Sequence, residues 1–313
     1  MSICRRRDSD SHRGLPYTIL SRARLPVPPL RQKITDSIIN EKISVVKGEF
    51  FNYNICMARV ISIVNQKGGV GKTTTAINLG AYLAYLGKFV LLVDIDPQAN
   101  ATSSLGIDHN ALERGVYHVL VEPVSFRDVI QGTHHQGYKL APATPDLAGA
   151  RVELVSLDSR EFRLREKLLE VKNDYDYIII DCPPSLDLLT LNGLIAAEEI
   201  LIPVQAEYMA LEGLGQLLNT INLVKENLKP DLKILGAVVT MFDKRNRLSG
   251  QVADDLRKNF PHKVFDTVIP RNVRLTEAPS YGQTILSYDS KSAGGRAYED
   301  LAREIIGQEY FIV

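Results

Sequence analysis

The hydrophobic positions of this chain change their pattern near residue 57. After that point, short apolar runs alternate with longer stretches in which apolar residues recur at helical spacing. This alternation is typical of strand–helix–strand units and predicts an α/β fold: a single domain with a doubly wound, mostly parallel sheet flanked by helices. The predicted strands cover residues 59–64, 89–94, 177–181, 200–204, 234–240 and 267–270, and the predicted helices cover residues 73–86, 160–172, 188–197, 211–227 and 248–260.

Residues 1–56 show no sustained period and contain a proline-dense stretch, LPVPPL at 25–30, that neither a helix nor a central strand accepts. We therefore divide the chain into an irregular extension, residues 1–56, and a folded domain, residues 57–313. The extension is expected to be a disordered tail or the product of a wrongly chosen start codon, with Met57 beginning the working chain. The alternative is a basic arm that binds DNA or a partner, since it carries ten basic residues against five acidic ones.

The whole chain of 313 residues is electrically balanced, with 37 basic and 37 acidic side chains. Without the extension, 27 basic residues face 32 acidic ones. This balance argues against a protein that bulk charge holds on nucleic acid or anionic lipid, although a local basic patch remains open. Three widely spaced cysteines do not form a disulfide framework, so a cytoplasmic location is expected. No apolar run approaches the roughly 18 residues of a membrane span.

The first predicted strand runs directly into the glycine-rich string NQKGGVGKTTT at residues 65–75, and a helical pattern follows at once. A strand, a glycine loop and a helix in this order predict a phosphate-binding loop and hence a P-loop NTPase. The glycines let backbone N–H groups point at phosphate oxygens, Lys72 would pair with the β- and γ-phosphates, and Thr73 would bind Mg²⁺. The alternative for the glycines is an ordinary tight turn.

The loop departs from the common phosphate-loop pattern at its start. Gln66 stands where that pattern has glycine, and a second lysine, Lys67, follows it. The alternative for Lys67 is a solvated loop charge.

Carboxylates follow two of the predicted strands. Asp94 and Asp96 close the second, and Asp181 closes the third. In a parallel sheet ligands gather at the carboxyl ends of the strands, so these acids are candidates for holding Mg²⁺ and positioning water. An acid in this place can also simply cap the next helix. We favour a metal-linked role for Asp181 and water positioning by Asp96, and we leave Asp94 open.

Five segments carry a family resemblance. They are KGGVGKTT at 67–74, DIDPQANAT at 94–102, DCPPS at 181–185, PVQAEYMALEG at 203–213 and VIPRNVRLTEAPS at 268–280. Together they resemble the ParA/Soj chromosome- and plasmid-partitioning ATPases, a group of deviant phosphate-loop (deviant Walker A) ATPases that is related to the MinD division-site regulators and the nitrogenase iron protein. The resemblance covers residues 57–307.

The resemblance implies ATP and Mg²⁺ as ligands and an ATP-dependent homodimer. Lys67 would reach across the dimer to the partner's phosphates, Gly68 would allow close approach of the two subunits, and Asp96 would orient water. The implied catalytic residues are Lys67, Lys72 and Asp96. The implied ATP contacts are Lys67, Gly68, Gly69, Val70, Gly71, Lys72, Thr73 and Thr74, with Pro270, Arg271 and Asn272 as the segment that contacts adenine. The implied magnesium ligands are Thr73 and, through water, Asp181.

The resemblance also implies DNA segregation. The ATP-bound dimer would bind DNA of any sequence, and hydrolysis stimulated by a ParB/Spo0J-like centromere-binding protein would release it, which implies a nucleoid-associated location. The matching basic positions are Arg245, Arg274 and Lys291, with Lys244 and Arg247 as further candidates. The alternative for each is a solvated surface charge.

Two other functions compete with DNA segregation. A MinD-like membrane-surface regulator of cell division needs a C-terminal amphipathic helix with a basic polar face. The C-terminal segment instead carries four acids, Glu299, Asp300, Glu304 and Glu309, against Arg303. We therefore expect no membrane contact.

A metal-cluster carrier similar to the nitrogenase iron protein needs thiolates at the subunit interface. Cys182 is the only cysteine after Met57, so the supply is poor.

Overall fold

The computed structural model describes residues 58–308, except for the side chains of Met209, Leu211 and Glu212. The predicted boundary at Met57, the extension before it and Glu309 lie outside the described residues. The strands are β1 (Arg59–Ile63), β2 (Val90–Asp94), β3 (Gln131–Gly132), β4 (Tyr138–Ala141), β5 (Tyr177–Asp181), β6 (Glu199–Gln205), β7 (Lys233–Phe242) and β8 (Val264–Pro270).

These strands form one sheet in the order β3-β4-β2-β5-β1-β6-β7-β8. Every neighbouring pair is parallel except β3 and β4, which are antiparallel. In this register Asp181 lies beside both Ile63 and Asp94. The carboxyl ends of β1, β2 and β5 therefore meet at one place, as the sequence predicts for a parallel sheet.

Helices cover both faces of the sheet, which confirms the doubly wound α/β prediction. They are α1 (Lys72–Tyr85), α2 (Asn100–Ser104), α3 (Val116–Val121), α4 (Phe126–Val129), α5 (Leu147–Glu153), α6 (Arg163–Leu168), α7 (Leu188–Ala196), α8 (Met209–Asn227), α9 (Arg247–Asn259), α10 (Val273–Glu277), α11 (Ile285–Asp289) and α12 (Ala293–Gly307). Short 3₁₀ turns occur at Leu154–Ser156, Lys172–Asp174 and Ala278–Tyr281.

The two faces bury separate apolar clusters. Along β2, Leu91 and Val93 belong to one cluster, while Val90 and Leu92 belong to the other. Because successive side chains of a strand point to opposite faces, a strand covered on both faces reads as a continuous apolar run. This is why the central strands could be read directly from the sequence.

The structure shortens one predicted helix. Only Arg163–Leu168 is α-helical within the predicted helix at 160–172. The buried side chain of Asn192 in α7 donates to the backbone oxygen of Arg160 and accepts from the backbone N–H of Leu164. These tertiary bonds satisfy backbone groups that a longer helix would pair internally, so the helix begins late.

Candidate nucleotide-binding site

The glycine loop lies between β1 and α1, at the middle of the sheet. Gly69 and Gly71 have φ values of +73° and +90°, a region that favours glycine, and Gly71 is the N-cap of α1. The hydroxyl of Thr240 in β7 donates to the backbone oxygen of Val70 over 2.7 Å and fixes the loop against the sheet. The 14-residue helix that follows presents its free N–H groups toward the loop, which makes an anion site.

Lys72 is buried at the first position of α1, with 6% of its surface exposed. Its Nζ donates to the backbone oxygen of Lys67 over 3.3 Å, so the side chain folds back across the loop. Burial lowers the pKa of Lys72, while the charge of Asp181 acts in the opposite direction. An ammonium group has three protons to donate, and a phosphate in the loop would accept the others.

Asp181 lies at the carboxyl end of β5 and is completely buried. Neither of its carboxylate oxygens makes a hydrogen bond of normal geometry among the described residues, although the Thr73 hydroxyl is near enough to act on its pKa. Burial, followed by the neighbouring carboxylate of Asp94, raises the pKa of Asp181 well above its usual range. A buried carboxylate without partners is costly unless a cation or its waters satisfy it, and such an oxygen pair suits hydrated Mg²⁺.

The carboxylate of Asp94 is bonded to neighbouring residues of the chain. One oxygen of its carboxylate accepts from the backbone N–H and the hydroxyl of Thr102, over 2.9 and 2.7 Å, and the other accepts from the backbone N–H of Asp96. These bonds hold α2 against the end of β2. The sequence left open whether Asp94 caps the next helix or serves the metal, and its bonding favours a cap.

Asp96 lies just past the end of β2, as the sequence predicts. It is 6% exposed, and one carboxylate oxygen accepts from the backbone N–H of Gln98 over 3.0 Å. Its charge, with that of Asp181, acts on the pKa of Lys72. The loop lysine and two of the candidate acids therefore share one region at the carboxyl end of the sheet.

The sequence reasoning assigned no role to three polar residues that hold the loop to β6. The buried side chain of Asn65 donates to the backbone oxygen of Pro203 over 2.7 Å and accepts from the backbone N–H of Lys67. The carboxylate of Glu207 accepts from Lys67 Nζ over 3.2 Å and from the side chain of Gln205 over 2.6 Å. The sequence did contain a signal for two of them, because Gln205 and Glu207 lie in the segment PVQAEYMALEG, which is one of the five that carry the family resemblance.

The segment at the end of β8 also approaches the loop. The backbone N–H of Arg271 donates to the oxygen of Phe242 over 2.9 Å, and Asn272 caps α10 by accepting from the N–H of Arg274. The guanidinium of Arg271 lies 3.8 Å from the carboxylate of Glu207. This places Pro270, Arg271 and Asn272 on the same edge as the loop, and their predicted contact with adenine stays a prediction.

Two of the predicted DNA-binding residues, Arg245 and Arg274, follow the neighbouring strands β7 and β8. Arg245 is highly exposed and makes two hydrogen bonds to the carboxylate of Asp243, over 3.0 and 2.9 Å. Arg274 bonds to Glu277 over 2.9 Å and lies 3.6 Å from Asp289. In the single chain, acidic neighbours thus partly neutralise both arginines.

Lys291 is exposed just before α12. That helix packs closely against α10, because a Cβ on Gly294 would lie 2.6 Å from the Leu275 side chain. Lys291 and Arg274 are therefore carried on elements that contact each other.

Two features bear on the competing functions. The apolar side of α12, which includes Tyr298, Leu301 and Ile305, is buried against the sheet and α1. Cys182 is buried in the core, and burial raises the pKa of its thiol. No helix among the described residues is both long and apolar enough to cross a bilayer.

The chain is similar in sequence to a known family and to several known proteins. Residues 58–234 match the family described as an AAA domain. The sporulation initiation inhibitor protein Soj of Bacillus subtilis is 57% identical over 249 residues, covering 80% of this chain and 98% of Soj. The chromosome partitioning protein ParA of Myxococcus xanthus is 52% identical over 253 residues, covering 81% of this chain and 89% of that protein.

Solved structures share the fold. The crystal structure of cobyrinic acid a,c-diamide synthase from Mycobacterium smegmatis with bound ADP and magnesium is 40% identical, with a TM-score of 0.73, and covers 81% of this chain and 96% of that chain. The septum site-determining protein MinD from Pyrococcus horikoshii, complexed with Mg-ADP, is 27% identical, with a TM-score of 0.67 over 82% of this chain and 98% of that chain.

The sequence identity to Soj and ParA confirms the family predicted from the five motifs. The glycine loop, the helix that follows it and the acids at the neighbouring strand ends supply the parts that phosphoryl transfer requires. This chain belongs to the ParA/Soj family of chromosome-partitioning ATPases.

Proposed function

We propose that this protein segregates DNA by cycling between an ATP-bound dimer that holds DNA and a monomer that releases it. The observation that carries the nucleotide part is the buried carboxylate of Asp181 beside the glycine loop and Lys72, for which the described part of the chain supplies no hydrogen bond. Such a group requires a cation or ordered water, and Mg²⁺ bound to ATP supplies the cation. At this site Mg²⁺ would supply positive charge that offsets the charge of the phosphates.

The residues of this chain then have distinct roles. Lys72 binds and orients the β- and γ-phosphates. Backbone N–H groups of the loop do the same, from Gly68, Gly69, Val70, Gly71 and Thr74. Thr73 holds the cation directly and Asp181 holds it through water. Asp96 orients the attacking water and accepts its proton, because its second carboxylate oxygen is not used by the bond to Gln98.

ATP joins two subunits in this proposal. Lys67 lies on the loop with about a third of its side chain exposed, and it can turn outward toward a second subunit. A Cβ built on Gly68 meets no atom within 4 Å, so that face of the loop is open for close approach. Lys67 reaching the partner's phosphates would make the dimer depend on ATP.

Dimerisation also explains how an acidic domain binds DNA. One subunit offers only a few candidate cations, Arg245, Arg274 and Lys291. Acidic side chains lie beside the two arginines. Affinity for DNA rises steeply with the number of phosphates neutralised. A dimer with two such sets of cations therefore binds DNA much more tightly than one subunit does. The contacts are to phosphate, so no sequence preference is expected and the protein would associate with the nucleoid.

The release step is assigned to a ParB/Spo0J-like centromere-binding protein that stimulates hydrolysis. The similarity to ParA of Myxococcus xanthus, a chromosome partitioning protein, supports a role in partitioning, and the family resemblance implies this partner.

DNA retention on an affinity matrix with ATP, ADP or no nucleotide tests the proposal, with anionic liposomes replacing DNA in a parallel series. We expect the DNA matrix to retain the protein with ATP but not with ADP or without nucleotide. Binding to liposomes but not to DNA would contradict it and favour a membrane-surface regulator, whose C-terminal helix would have to expose the apolar side of α12 that is buried here.

A further inference from the structure

The carboxylate of Glu207 contacts both segments of the nucleotide site. One oxygen accepts from Lys67 Nζ over 3.2 Å, and the other lies 3.8 Å from the guanidinium of Arg271. Lys67 belongs to the glycine loop, and Arg271 belongs to the segment predicted to contact adenine. One acid therefore holds two cations that the proposed function assigns to ATP.

The carboxylate is itself held in place. Gln205 is only 9% exposed, and its amide donates to Glu207 over 2.6 Å. The backbone N–H of Glu207 also donates to the oxygen of Gln205 over 2.7 Å, which tightens the chain directly after β6. Because the buried amide fixes the acid, Lys67 is the mobile member of the pair.

We propose that Glu207 is a positioning residue that keeps Lys67 within its own subunit until ATP brings a second subunit into contact. The inference rests on the proposed function, in which Lys67 serves the partner's phosphates. A lysine amine can point toward Glu207 or toward a partner, but not toward both. Breaking the contact is thus part of forming the dimer, and Glu207 sets the ATP concentration at which that exchange occurs.

The strength of the contact suits a reversible switch. The side chains of Lys67 and Glu207 are 35% and 46% exposed, so water and salt screen the pair. Exposed ion pairs contribute little free energy, which corresponds to changes of about two- to fivefold in an equilibrium. Triphosphate groups carry more negative charge than one carboxylate and would outcompete it.

The first measurement concerns the contact alone. Full-length protein without nucleotide is labelled briefly with an amine-reactive ester, and mass spectrometry gives the labelling rate at Lys67. In Glu207→Gln we expect that rate to rise about two- to fivefold. The matched control is Glu299→Gln, which removes another exposed carboxylate, paired with Arg303 over 2.7 Å on α12, and should leave the rate at Lys67 unchanged.

The second measurement follows dimer formation by light scattering while a non-hydrolysable ATP analogue with Mg²⁺ is added. Glu207→Gln should reach half-maximal dimer at an analogue concentration about two- to fivefold lower than the wild type and Glu299→Gln. An unchanged labelling rate, or an unchanged or higher half-maximal concentration, would overturn the role of Glu207. If labelling changes as expected but the wild type never dimerises with the analogue, the proposed function itself has failed.

Discussion

The ammonium nitrogen of Lys72 lies 3.3 Å from the backbone oxygen of Lys67, across the loop that the two residues enclose. The loop is thus closed by its own lysine in the single chain. A phosphate group entering the loop would meet this ammonium and the N–H groups of α1 at once, since Gly71 caps the helix beside it. We therefore expect nucleotide binding to depend most directly on Lys72.

Replacement of Lys72 by alanine should weaken ATP binding. A hydrogen bond to a charged group contributes about 1.5–3 kcal/mol, which corresponds to a loss of affinity of roughly tenfold or more. Titration calorimetry with ATP and Mg²⁺ measures the effect. Lys139→Ala, which removes an exposed lysine on β4, should bind normally, and an unchanged affinity in Lys72→Ala would exclude the phosphate-loop assignment.

Replacement of Asp96 by alanine should separate binding from turnover. The variant should still dimerise with ATP and bind DNA, because the proposed function assigns Asp96 to water and not to phosphate. Its hydrolysis rate should fall about 10²-fold or more, the usual contribution of a positioned acid or base. Phosphate release and light scattering on one sample give both readings. Loss of dimerisation together with turnover would point to a structural role, and Asp128→Ala on the exposed side of α4 should change neither.

Replacement of Asp181 by asparagine should stabilise the protein without nucleotide while it impairs catalysis. Asparagine is neutral, so the change removes the cost of burying the charge of an acid that has no hydrogen-bond partner among the described residues. That cost is about 1 kcal/mol or more, so Tm should rise by roughly 2–4 °C. The same change should raise the Mg²⁺ concentration needed for half-maximal hydrolysis. Scanning calorimetry and a magnesium titration test the pair of effects. A variant with a lower Tm and an unchanged magnesium requirement would show that Asp181 serves the fold instead of the metal.

Charge changes around Arg245 should move DNA affinity in opposite directions. Arg245→Glu should abolish ATP-dependent DNA binding and spare dimerisation, whereas Asp243→Asn frees the arginine and should strengthen binding several-fold. Each phosphate contact adds about 0.9 to the slope of log affinity against log salt. The milder Arg245→Ala, which loses one contact per subunit, should therefore reduce the slope of the dimer by about two.

The matched control for Arg245 is Arg257→Glu on α9, where the same charge change falls on a residue paired with Asp254. It should leave the salt slope as in the wild type. Equal losses in Arg245→Glu and Arg257→Glu would mean that overall charge, and no particular site, governs binding. Arg274→Glu should behave as Arg245→Glu does, because Arg274 lies past the neighbouring strand.

The central strands and the glycine loop could be predicted because their signals are local. Burial on both faces makes a strand such as β5 a continuous apolar run. The loop is recognisable in the sequence from its closely spaced glycines and lysines. The sequence missed β3, β4 and α2 to α5, which are two to seven residues long, because tertiary contacts stabilise such short elements and leave little periodicity. It also missed α12, since Gly294 and Gly295 resemble a helix break, although Gly294 serves close packing against Leu275.

The site was predicted in its parts but not in its connections. Lys67, Lys72, Asp96 and Asp181 were named from motifs, yet the acid that holds Lys67 is distant along the chain. Glu207 lies 140 positions from Lys67, and no spacing rule relates the two. The same holds for Arg274 and Asp289, whose proximity depends on the packing of α10 and α11. Pairings of this kind follow from the fold.

The most direct test of the account is to follow dimer mass and DNA retention on the same samples while the ATP analogue is titrated with Mg²⁺. The account requires that the ATP-bound dimer is the species that binds DNA. The two curves should therefore share one half-maximal concentration, and both should be absent with ADP and in Lys67→Ala. DNA retention that develops while the protein remains a monomer, or that persists in Lys67→Ala, would contradict it.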